Sequence, residues 1–330
     1  MFGGEELYKG MGNIFLSKPA QLEAKLQEWA AHSAAKIQVE YETAYSGHKV
    51  YAITISDFVV ANEDKAKLYI AQPHAHEPAT TAAMIDVIEQ LLTGKDLAGN
   101  PSKLDVEKVL ANTLLTFNPI GNPEGTERSP YDYWDGSKVP NERFWCIMFG
   151  EDPDVPLKQW NRVDQFDIRK VKAPDPIGIA YEQIDAYTYV EPNRSSLSSY
   201  AKLFRRMLGK FDYQYWLDLH QTEFVNSPTE CQILLPNPLL QTDVFKDEQQ
   251  AWSEQISDAW QEAGFVVAPP APSGYQGVQV DYFRRTWGDV YQILHKIVVE
   301  VKNNSAGMPP ERQMAAEALS ILTTIQRICK

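Results

Sequence analysis

Short runs of consecutive apolar, often β-branched residues recur along this chain, separated by segments of helical spacing. That alternation restricts the fold more than any other feature. Residues 48–57 (HKVYAITISD), 66–72 (AKLYIAQ), 112–117 (NTLLTF), 214–220 (QYWLDLH), 231–236 (CQILLP), 264–268 (GFVVA) and 294–301 (LHKIVVEV) read as strands. Helical spacing marks 19–36, the stretch from Ala79 to a stop at Gly94, and about 196–210, 243–263 and 309–328. Strands that are apolar on successive positions belong inside a sheet covered on both faces. The expected fold is therefore α/β: three α/β/α layers around a mixed, largely parallel sheet. No Pro/Gly/Ser linker divides the 330 residues, so one domain is expected, with a helical segment over about 1–45.

Residues 120–195 break the pattern. They are rich in proline, aromatics and acids, and an irregular stretch of that length inside a compact domain is usually functional.

The charge balance excludes some partners. Thirty-one basic against 44 acidic side chains give a formal charge of −13, a field that repels phosphate backbones, so no nucleic-acid partner is expected. No run approaches the ~18 apolar residues of a membrane span. The first twenty residues carry Glu5 and Glu6 and no apolar core, so no export signal is expected. Cys146, Cys231 and Cys329 form neither a disulfide framework nor a CxxC site, which fits a reduced cytoplasm. Oligomeric state is not readable from these features.

The chemistry is expected at strand ends. His74 and His76 lie in PHAHEP, just after the strand ending at Gln72, and His220 closes the strand QYWLDLH. In open α/β sheets ligands bind beyond the carboxyl ends of strands, where separate imidazoles can converge. Pro78 suits a first helical position, which leaves His74 to Glu77 in the turn before it. Two imidazoles and a carboxylate are the donor set of an open zinc site. Glu300 interrupts the apolar strand KIVVEV; alternation sends Val299 and Val301 to one face and Glu300 to the other. A buried acid there can act as a general base beside a metal. Asp218 shares the strand face of His220 and can accept from its second ring nitrogen.

The order His74-x-x-Glu77, then Asn122-Pro123-Glu124-Gly125, then Asp218-Leu219-His220, then the strand carrying Glu300, resembles the M14 family of zinc carboxypeptidases across most of residues 45–305. That resemblance implies one zinc ion held by His74, Glu77 and His220, with Glu300 promoting attack of water on the scissile carbonyl. It implies an arginine that stabilises the oxyanion, for which Arg143 is the candidate and Arg128 a rival. It implies an Asn-Arg pair gripping a substrate carboxylate, here Asn161 and Arg162, because a guanidinium fork matches a carboxylate bidentately. It also implies a loop tyrosine, for which Tyr275 and Tyr282 are the candidates. His76 stands where many members carry arginine. The implied substrate is a peptide or a peptide-like amide. The alternatives are an N-acyl amino acid deacylase of the succinylglutamate desuccinylase or aspartoacylase type, and a non-catalytic binding protein on the same scaffold. A metal-binding barrel using His74 and His76 as an HxH pair lacks further ligands at later strand ends.

Overall fold

The computed structural model describes residues 14–329. In chain order its elements are α1 (Pro19–Ser33), β1 (Ile37–Thr43), β2 (Lys49–Ile55), β3 (Ala66–Ala71), α2 (Pro78–Thr93), α3 (Val106–Asn112) and β4 (Thr113–Asn118). There follow α4 (Pro123–Arg128), α5 (Asn141–Phe149), β5 (Gln165–Asp167), β6 (Glu182–Gln183), β7 (Thr188–Val190), α6 (Ser199–Lys210), β8 (Tyr215–Thr222) and β9 (Cys231–Leu235). The chain ends with α7 (Lys246–Glu262), β10 (Ala271–Pro272), α8 (Val278–Trp287), β11 (His295–Lys302) and α9 (Pro310–Ile328).

Eight strands form one sheet in the order β1-β2-β4-β3-β8-β11-β9-β10. β3 runs parallel to both β4 and β8, and β8 is parallel to β11. β1, β2 and β9 pair antiparallel with their inner neighbours. The sheet is thus mixed with a parallel centre, as the apolar runs require.

Strand alternation sorts the core into two layers. Leu68, Ile70, Leu217, Leu219, Ile297, Val299 and Val301 pack with α1, α2, α7 and α9. Tyr69, Ala71 and Trp216 point the other way, against α6 and α8. That second face also receives Asp218 and His220, two residues apart on β8, and Lys296 and Glu300, four residues apart on β11. Burying each large apolar side chain contributes about 1.5–3 kcal/mol, so these two layers fix which way the polar residues of β8 and β11 must face.

The helix after β3 begins and ends as its residues dictate. Pro78 is the first helical residue of α2, and Gly94 closes it with a φ of 76°, its N–H donating to the Gln90 carbonyl at 2.9 Å.

Four expectations change. The segment expected to be helical to about residue 45 is a helix only to Ser33; its first thirteen residues lie outside the described chain. Residues 37–43 pair with β2 over their whole length, from Ile37 opposite Ile55 to Thr43 opposite Lys49, since Val39 and Tyr41 suit an edge strand better than a helix. Residues 264–268 form no strand but a single bridge from Cys231 to Val267, and the pairing with β9 resumes as a strand only at β10, Ala271–Pro272. Residues 120–195 are less irregular than they read: α4, α5 and a three-stranded sheet (β5-β7-β6) pack around Trp134, Phe144, Phe149, Phe166 and Tyr181. Short elements of mixed composition leave no periodic signal, and their burial is against each other. The helix α8 also went unread, in a stretch that opens with Gly277 and carries only a short amphipathic run.

Candidate metal centre

β3 is the switch point of the sheet: the chain goes on to β4 on one side and later to β8 on the other. The turn after β3 and the end of β8 therefore meet above the sheet, with Ala71 opposite Asp218 in register. On the far side of β8, Glu300 of β11 is the register partner of His220.

Three donor atoms converge there. His74 Nδ1 is 3.0 Å from Glu77 Oε1, His220 Nδ1 is 3.1 Å from His74 Nδ1, and His220 Nδ1 is 3.3 Å from either oxygen of Glu77. Ligands ~2.0–2.1 Å from a tetrahedral zinc lie about 3.3 Å apart, so the spacing fits one ion. All three residues are buried, and Glu77 Oε2 has no hydrogen-bond partner among the described residues. A buried carboxylate oxygen left without a donor is costly unless a cation takes it up.

The remaining ring nitrogens are held from behind. Glu191, fully buried, is hydrogen-bonded to His74 Nε2, and Asp218 lies 3.3 Å from His220 Nε2. Each carboxylate favours a proton on Nε2, which leaves the Nδ1 lone pair free for a metal. Burial alone would raise Glu191, but Arg194 and His74 overcome it and hold its carboxyl well below the usual range. Burial likewise opposes ionisation of Glu77, and the imidazoles of His74 and His220 overcome it, so Glu77 stays ionised. Asp218 is also drawn below its usual value against burial, by Lys296 at 2.8 Å and by His220. Burial drives the His76 imidazole down to about 3, so it is neutral.

Glu300 has its remaining exposed surface in the cavity in front of these groups and forms no side-chain hydrogen bond among the described residues. Burial pushes its carboxyl up to about 7. That value suits a group that accepts a proton near neutrality and gives it back.

The same cavity, about 110 Å³, brings some of the expected residues together and leaves others out. His74, Glu77, His220, Glu300, Arg162 and Tyr275 all line it. Asn161 does not; it is exposed, and its carbonyl accepts from the Tyr181 hydroxyl at 3.3 Å. Arg143 is on the surface in an ion pair with Glu151, outside the cavity, because α5 presents it to solvent. Arg128 is also outside: its guanidinium donates to the carbonyls of Ile177 at 2.7 Å and Tyr181 at 2.6 Å, stitching α4 to the neighbouring loop. Tyr282 is buried in α8 and does not line the cavity.

A second Asn-Arg dipeptide also reaches the cavity. Asn193 and Arg194 both line the cavity. Arg194 is fully buried, donates to Glu191 at 2.6 Å and to Gln279 at 2.8 Å, and keeps Nη2 without a partner among the described residues. Glu191 precedes Asn193 by two residues, which places its carboxylate within reach of the Arg194 guanidinium. Arg162 lies over the Phe149 ring, 4.7 Å from its centroid, and reaches to 3.9 Å from Glu191. The Asn122-to-Gly125 turn lies behind the site. Asn122 accepts from Gly125 N at 2.9 Å and donates to the Ile179 carbonyl at 3.2 Å, and a Cβ on Gly125 would lie 2.1 Å from the Ile179 oxygen.

No protein-family model and no curated protein matches the chain in sequence. Solved structures match its fold. A metallo-carboxypeptidase from Burkholderia cenocepacia aligns over 94% of this chain and 68% of its own, with a TM-score of 0.54 and 15% identity. Thrombin activatable fibrinolysis inhibitor aligns over 94% and 74%, with a TM-score of 0.60 and 12% identity. Carboxypeptidase A from Helicoverpa armigera aligns over 94% and 73%, with a TM-score of 0.59 and 12% identity. The chain therefore has the metallo-carboxypeptidase fold. No helix among the described residues is long and apolar enough to cross a membrane.

Proposed function

We propose that this chain is a zinc-dependent hydrolase of the metallocarboxypeptidase type, acting on a peptide or peptide-like amide. The observation that carries the reading is the convergence of three donor atoms, 3.0 to 3.3 Å apart, in one cavity with an unpaired glutamate and two arginines.

His74, Glu77 and His220 would hold one zinc ion, which when bound supplies a Lewis acid for the scissile carbonyl and makes water a nucleophile near neutral pH. Glu300 accepts the proton of the attacking water and delivers it to the leaving amine. Arg162, at the cavity wall, is the oxyanion candidate in place of Arg143. The free Nη2 of Arg194 and the side chain of Asn193 meet a substrate carboxylate, and Glu191 holds Arg194 in that orientation. Tyr275, whose ring lies 5.5 Å from the Arg194 guanidinium carbon, closes the same side. Taken alone, the likeness to carboxypeptidases supports the scaffold; the donor set and the free base support the chemistry.

The test joins zinc analysis of the purified protein to digestion of a peptide library and a panel of N-acyl amino acids, with His220→Ala as control. Loss of single C-terminal residues from peptides supports the reading. Release of a free acid from the acyl-amino acids alone would make it a deacylase. Absence of stoichiometric zinc and of chelator-sensitive activity would leave a binding protein on this scaffold.

A further inference from the structure

A second group of donors shares Glu77 with the first. His76 Nε2 lies 3.5 Å from Glu77 Oε1 and 3.6 Å from Glu223 Oε1, and the three ligand atoms all fall within 4.8 Å of one another. The three residues are 3%, 2% and 7% exposed, so water does not satisfy them. His76 Nδ1, Glu77 Oε2 and Glu223 Oε1 have no hydrogen-bond partner among the described residues.

The imidazole is fixed where it stands. Its ring stacks on that of His74 with centroids 5.1 Å apart and planes at 15°, and its backbone carbonyl accepts from Asn303 Nδ2 at 3.1 Å. Phe144 and Phe149 meet it edge-on from the other side. Its place is therefore set by packing rather than by the carboxylates it faces.

Three carboxyl groups meet beside it. Glu77, Glu223 and Glu300 crowd one another, while Arg194 is bound to Glu191 and Lys296 to Asp218. Among the described residues no lysine or arginine is ion-paired with Glu223, and the basic group it faces is the neutral His76 imidazole at 3.6 Å. A buried carboxyl oxygen with no hydrogen-bond partner is costly unless a cation takes it up, and both Glu77 Oε2 and Glu223 Oε1 are in that position.

We propose that a second divalent cation binds between His76 Nε2 and Glu223, with Glu77 bridging it to the first ion. This rests on the zinc reading above, because Glu77 is common to both. The geometry permits it: the two oxygens of one carboxylate can serve two ions ~3.5–4 Å apart. One imidazole and two carboxylates suit zinc or manganese rather than a thiophilic metal. The ion would stand where the two cavities lined by Glu223 and Glu300 join, on the approach to Glu300.

The experiment is titration of the chelator-stripped, full-length protein with zinc alone, with bound metal counted after desalting and the ions located by anomalous scattering at the zinc edge. Two zinc ions per wild-type chain are expected, with one anomalous peak between His76 and Glu223. One per chain is expected for Glu223→Gln and for His76→Gln, with unchanged circular dichroism. One zinc per chain in the wild type and both variants overturns the second site and leaves the proposed function standing. A second peak anywhere else on the surface also overturns it. No bound zinc in the wild type removes the first site and the second together. Should either variant fail to fold, the wild-type stoichiometry and peak position decide alone.

Discussion

Lys296 and Asp218 form an ion pair at 2.8 Å with side chains 2% and 0% exposed, directly beneath His220. The ammonium also lies 3.9 Å from the centre of the Trp216 ring and 3.4 Å from the Tyr291 hydroxyl. Replacing Lys296 by Met preserves much of the volume and leaves Asp218 buried with His220 as its remaining partner. Breaking a buried pair from one side costs about 3–5 kcal/mol. An unfolding entropy of ~2.1 cal/mol/K per residue, over a chain of 330 residues, comes to ~0.7 kcal/mol/K. Lys296→Met is therefore expected to lower Tm by about 4–7 °C. Adding Asp218→Asn removes the stranded charge and keeps an acceptor for the His220 Nε2–H, so the double variant should recover more than half of that loss. Thermal melts followed by circular dichroism, in chelator so that metal does not contribute, measure both. A single variant within about 1 °C of the parent would refute the argument, as would a double variant that falls by the sum of the two single losses.

Glu300→Gln should keep its zinc and lose about 10²–10⁴-fold in turnover, since it removes the proton acceptor and no ligand; retained activity in the amide-hydrolysis assay would exclude the role. Burial raises the Glu182 carboxyl to about 7 even though Ser199 N donates to it at 3.0 Å. The native state thus keeps a proton that the unfolded chain has lost, and stability falls as pH rises from about 4.5 to about 7, by on the order of 3 kcal/mol. Glu182→Gln should flatten that part of the urea-unfolding pH profile, and parallel profiles would count against it. Gly125→Ala drives a Cβ to 2.1 Å from the Ile179 carbonyl oxygen, so it should destabilise by at least about 1–3 kcal/mol and loosen the Asn122 turn, measured as a drop in the urea midpoint.

The candidate metal donors were legible because each sits where a local rule put it. Pro78 fixed the start of α2 and so kept Glu77 in the turn; the apolar run of β8 carried His220 to two residues short of the strand's end; the Val299/Val301 alternation of β11 turned Glu300 away from the apolar layer. The arginines were not legible in the same way. Arg143, Arg128 and Asn161 lie in the stretch of short elements between β4 and α6, where no periodicity tells which side chains turn inward. Arg194 reaches the cavity because Glu191 holds it, a contact made by the path of the loop and not by any motif of spacing.

What the residues alone determined is the class of fold and the strand and turn positions of the candidate donors: apolar periodicity is local, survives in one dimension, and assigns strand faces and turn positions without knowledge of neighbours. What the tertiary structure decided is which charges meet. The pairing of Asp218 with Lys296, the grouping of His76 with Glu223, and the meeting of Arg162, Asn193 and Arg194 at one cavity depend on strands and loops far apart in the chain coming within a few ångströms. Electrostatic energies at such distances change steeply with separation and burial, and neither quantity exists until the chain has packed.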